Sequence, residues 1–111
     1  RLPRINVTYN PLLRERAFGI LEGKFYEEAN RLYPQFVFET VWQYPSFKPP
    51  GGESVLEVQT RARNFINELI SNYAHETVLL VTHGAFIRNF LTVALSIPHE
   101  QVHGIVLTMH R

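Results

Sequence analysis

From residue 53 onward the apolar positions Val55, Val58, Ala62, Phe65, Ile66, Leu69, Ile70 and Tyr73 recur every three or four residues. That is the period of one helix face, so the spacing predicts a long amphipathic helix. Arg61, Arg63, Asn64, Asn67 and Glu68 fall mostly on the opposite, polar side. The PPGGES stretch before it marks a sharp break, a turn at Gly51 and Gly52 with Glu53 favouring the positive end of the helix. After His75 and Glu76 the pattern changes. TVLLVT, residues 77–82, is a short unbroken apolar run of the kind that forms a strand buried on both faces. His83 and Gly84 follow, and residues 85–95 return to a helical pattern. Helix, strand and helix in this order predict α/β layering.

The first half is less regular. A short strand is expected at 5–9, ended by Pro11, and LLRERAFGILEG, with Gly19 and Gly23, reads as loop or turn. Residues 24–33 predict a helix carrying Phe25, Ala29 and Leu32 or Tyr33 on one side, stopped by Pro34. Residues 34–50 are aromatic and proline-rich, with Phe36, Phe38, Trp42, Tyr44 and Phe47. They form an insertion whose rings either pack as a satellite core or line a substrate pocket.

Length and composition narrow the picture. A chain of 111 residues, 45% hydrophobic and 13% aromatic, fits a single domain, 1–111, folded by burial. A formal charge of +1 provides no global field to recruit nucleic acid or an anionic membrane, so neither is expected as a partner. No apolar run approaches a membrane span, and RLPRINVTYN lacks the centre of a signal peptide, which makes the cytoplasm the default compartment. With no cysteine, disulfides, thiolate catalysis and cysteine zinc sites are excluded. The chain opens on Arg1 and closes on an apolar run ending at Arg111, and both ends read as cut.

Candidate chemistry gathers at His83. A strand end that delivers His83 and Gly84 to a helix start would offer an anion unpaired N–H groups, a close backbone and an imidazole donor. The same pattern also suits a histidine that caps its helix or bonds a neighbouring carbonyl. Glu15, between Arg14 and Arg16, reads either as a solvated ion pair or as a carboxyl able to protonate a leaving oxygen. His99 and His103, four apart, lack the glutamate and third ligand of a metal site, so no metal is expected. His110 has no following glycine or helix.

LRERAFGILEGK, PPGGES and LLVTHGAFIR occur in this order, and together they resemble the histidine phosphatase superfamily, the phosphoglycerate mutase-like family, especially its phosphatase branch. The resemblance implies a three-layer α/β/α fold with a mostly parallel sheet, here as an incomplete domain. It also implies phosphomonoester hydrolysis, or phosphoryl transfer of the mutase type, through a phosphohistidine with no metal or organic cofactor. Carried onto this chain, Glu15 matches the proton donor, His83 the second phosphate-pocket histidine, and Gly84 a backbone donor to phosphate. Glu53 matches a position that supports the site rather than reacting. The Arg-His-Gly motif that carries the family's nucleophile is absent here. A small phosphorylated substrate is the expected partner, and the site is open to a complementing fragment or a second copy. The other class of function is a catalytically inactive binding or scaffold module.

Overall fold

A computed structural model of the chain describes residues 4–34, 44–98 and 101. Its regular elements are three α-helices, α1 (Tyr26–Leu32), α2 (Val55–Tyr73) and α3 (Gly84–Ala94), preceded by 3-10 turns at Pro11–Leu13 and Gly19–Leu21. The three-layer α/β/α arrangement with a mostly parallel sheet is therefore not what the chain shows, since no strand exists among the described residues. A strand exists only through a partner that takes up its ladder. Residues 77–82 find none there, and Leu79 and Val81 are 86% and 83% exposed. The strand expected at 5–9 is likewise missing, with Ile5, Val7 and Tyr9 turned to solvent. No helix among the described residues is long and apolar enough to cross a membrane. Most of the 34–50 insertion, together with His99, His103 and His110, lies outside the described residues.

The long periodic helix forms as its spacing predicts. Ser54 sits before the first turn in extended conformation, and its hydroxyl accepts the Glu57 N–H at 3.1 Å. Ser54 is thus the cap that satisfies one of the free N–H groups. Val55, Val58, Ala62 and Phe65 are buried, but the same stripe emerges into solvent further along, where Ile70 and Tyr73 are exposed. Among the described residues, the buried side chains of α2 run from Val55 only as far as Phe65. Across α2 lies α3, whose Phe86 is buried against Val58 and Ala62 with Leu13, Phe90 and Val93 around them. Phe90 spans both helices, its ring 6.4 Å from that of Phe65 and 6.3 Å from that of Phe86. Full burial of a side chain such as Phe86 contributes about 1.5–3 kcal/mol.

α3 ends in a reciprocal pair of backbone bonds, Ile97 N–H to Thr92 O and Ser96 N–H to Val93 O, with Ser96 at φ +52°. This is the turn that usually carries glycine. α1 is shorter than the 24–33 stretch suggests. Its first turn carries Glu27 and Glu28 and its last Arg31, as the helix dipole favours, but of the expected face only Ala29 is buried and Phe25 is exposed.

Candidate functional site

The segment that carries Glu15 is held by close backbone packing. At Gly19, φ +58°, a Cβ would stand 2.0 Å from Pro50 O, and at Gly52 one would stand 2.7 Å from Ala17 O. Only glycine lets these two stretches touch, and so LRERAFG and PPGGES lie against each other. Bonds from Ile20 N–H to Pro50 O (3.0 Å) and from Glu53 N–H to Ala17 O (2.7 Å) join them. Thr82 donates its hydroxyl to Leu13 O, tying the residue before His83 to the same segment.

Glu15 therefore arrives at the start of α3. Its Oε2 accepts the Ala85 N–H at 3.1 Å, and its Oε1 accepts Phe86 N–H at 3.0 Å and Arg16 N–H at 2.9 Å. A side chain seventy residues away thus satisfies N–H groups that the helix leaves without internal partners. The ion pair with flanking arginines does not form. Arg14 stands 3.7 Å from Glu53 instead, and Arg16 is buried with its Nε donating to Glu53 O at 2.9 Å. Burial lowers the proton affinity of Arg16 against the opposing pull of Glu53, Glu15 and Glu57, but an arginine stays charged throughout the accessible pH range.

His83 is the residue before α3, with extended backbone, and is exposed; its side chain makes no capping bond to the helix. Its carbonyl accepts the Ile87 N–H. Gly84 opens the helix, and its N–H has no hydrogen-bond partner among the described residues. Glu15, His83 and Gly84 are thus brought to one end of one helix. Part of the anion seat predicted there is occupied by the Glu15 carboxylate itself.

The polar face assigned to α2 needs one correction, because Arg61 is 7% exposed. Its Nε and Nη2 each lie 3.0 Å from the Glu53 carboxylate, and its Nη1 donates to Leu12 O at 2.8 Å and Arg14 O at 2.9 Å. The guanidinium carbon also sits 5.5 Å from the centre of the Phe86 ring. Burial works against the Glu53 anion. The hydrogen bonds from Arg61 and Ala17 N–H and the charges of Arg61 and Arg14 outweigh it and hold the carboxyl below its ordinary value. A signal for Arg61 was available. At 100° per residue it lies only about 40° round the helix from Phe65, at the margin of the apolar stripe rather than opposite it.

The family model described as histidine phosphatase superfamily (branch 1) matches residues 1–110. A bifunctional protein of Mycobacterium tuberculosis is 36% identical over 107 residues, which cover 96% of this chain and 28% of that protein. A probable phosphoglycerate mutase of Proteus mirabilis is 28% identical over 86% of this chain and 44% of its own length. Among solved structures, mycobacterial glucosyl-3-phosphoglycerate phosphatase with inorganic phosphate shares the fold, with a TM-score of 0.70 at 24% identity, over 87% of this chain and 50% of that one. The chain spans half or less of the length of these relatives. Three separated motifs, folded into one place, and a family match along nearly the whole length lead to one statement: this chain belongs to the histidine phosphatase superfamily, branch 1.

Proposed function

We propose that the chain supplies the proton donor and the second histidine of a site that hydrolyses phosphomonoesters through a phosphohistidine, without metal or organic cofactor. The observation that carries this reading is the convergence of Glu15, His83 and the Gly84 N–H on the start of α3. A histidine nitrogen from a segment outside this chain attacks phosphorus, and the P–O ester bond breaks. The leaving oxygen takes its proton from Glu15. Water then attacks the phosphohistidine, returns a proton to the Glu15 carboxylate and releases inorganic phosphate. His83 and the Gly84 N–H donate to the phosphoryl oxygens, where charge builds up during transfer.

In the resting arrangement Glu15 is docked on three N–H groups, which suits an acceptor-only carboxylate. The likeness to a probable phosphoglycerate mutase favours a second reading, in which the phosphohistidine passes its group to another hydroxyl rather than to water. Product analysis separates the two.

The test is hydrolysis of p-nitrophenyl phosphate by the intact protein in excess chelator. His83→Ala should lower kcat by about 10²–10³, the usual effect of removing one donor to a transferring group. Unchanged turnover in the variant, or activity abolished by the chelator, would overturn the assignment.

A further inference from the structure

We propose that Arg61 is a positioning residue for Glu15, holding the segment that presents the acid to the start of α3. The inference rests on the reading of Glu15 as proton donor. Leu12 and Arg14 lie in and just after a three-residue 3-10 turn, and both carbonyls accept from one nitrogen of Arg61. The neighbouring Nη2 approaches Glu15 O at 3.5 Å. That same Nη2 and Nε are fixed on the Glu53 carboxylate, and the Glu53 backbone accepts from Arg16 and donates to Ala17. Arg61 itself stands on α2, between the buried Val58, Ala62 and Phe65.

The planar fork thus references the Glu15 segment to the long helix α2. It also rests against Phe86, the residue whose N–H holds the Glu15 carboxylate. One side chain therefore touches the helix that carries it, the segment bearing the acid and the helix that receives it. Lysine keeps the charge but has no fork able to span two carbonyls and a carboxylate at once.

The experiment uses the intact protein with two substrates, p-nitrophenyl phosphate, whose leaving group needs little protonation, and glycerol 2-phosphate, whose alkoxide needs a full proton. Glu15→Gln is the reference variant. Arg61→Lys should lower kcat on glycerol 2-phosphate by about 10–100-fold with KM little changed, since misplacement by about an ångström has effects of this size. The loss on p-nitrophenyl phosphate should be several-fold smaller. In the Glu15→Gln background Arg61→Lys should add almost nothing on glycerol 2-phosphate, because the two act through one proton transfer. Should Arg61→Lys fail to give a native circular dichroism spectrum, Glu53→Gln, which releases one arm of the fork and keeps its shape, carries the same comparison.

Equal losses on both substrates, or losses that multiply with those of Glu15→Gln, would reduce Arg61 to a stability residue and overturn the proposal. If Glu15→Gln itself loses no more on glycerol 2-phosphate than on p-nitrophenyl phosphate, the acid reading fails first, and the positioning role falls with it.

Discussion

Gly19→Ala isolates the contact that brings the two glycine motifs together. The new Cβ would lie 2.0 Å from Pro50 O, 2.6 Å from Gly52 N and 2.8 Å from Gly51 C, all backbone atoms that cannot rotate away. Alanine at φ +58° also carries the left-handed penalty of about 1–2 kcal/mol. Relief requires the turn to lift from Pro50, which breaks the Ile20 N–H bond to that carbonyl at a cost of about 0.5–1.5 kcal/mol. Local overpacking adds about 1–3 kcal/mol. The total is roughly 3–6 kcal/mol, a large share of the ~5–15 kcal/mol that keeps a domain folded.

Gly23→Ala is the matched control. Gly23 has φ +79°, but a Cβ there meets nothing within 4 Å, so only the dihedral penalty of about 1–2 kcal/mol applies. The entropy that alanine removes from the unfolded chain is common to both variants and cancels in their difference. Urea denaturation followed by far-UV circular dichroism should place Gly19→Ala about 2–4 kcal/mol below Gly23→Ala, with unchanged m-values. Equal costs for the two variants would refute the interlocked-glycine account.

Two further outcomes follow from the capping and charge geometry. Ser96→Gly should raise stability by about 0.5–1 kcal/mol, a few degrees in thermal midpoint, because relief of the left-handed penalty exceeds the extra unfolded entropy of glycine. Glu53 should make stability pH-dependent at the acid end only. Its folded carboxyl lies below the ordinary value, so between the two values the unfolded chain binds more protons and stability rises with pH. The contribution is complete above the ordinary carboxylate range of ~4.3 and is lost as pH falls through the lower folded value. Urea midpoints measured from about pH 5 to about pH 3 should fall more steeply in the wild type than in Glu53→Gln.

The helices were legible in the sequence where an apolar stripe has a fixed period, as in Val55, Val58, Ala62 and Phe65 of α2 and in Phe86, Phe90 and Val93 of α3. The 77–82 run misled for a physical reason: apolar, β-branched composition states what a segment could do with a neighbour, and none of the described residues pairs with it. Burial of α2 stopped half-way along for the same reason, since periodicity marks a face but not the length of its partner. At the site, the strings around Glu15, His83 and Gly84 were readable because each is local. The role of Arg61 was not, because its place at the margin of the apolar stripe names no partner, and the role depends on carbonyls almost fifty residues away and a carboxylate eight residues back.

The most direct measurement is a titration of inorganic phosphate into the isotope-labelled intact protein, followed residue by residue through backbone amide resonances. If the start of α3 is the phosphoryl seat that Glu15 guards, the Gly84, Ala85 and Phe86 amides should show the largest changes, saturating together with binding. Binding that shifts amides elsewhere and leaves those three unmoved would contradict the account.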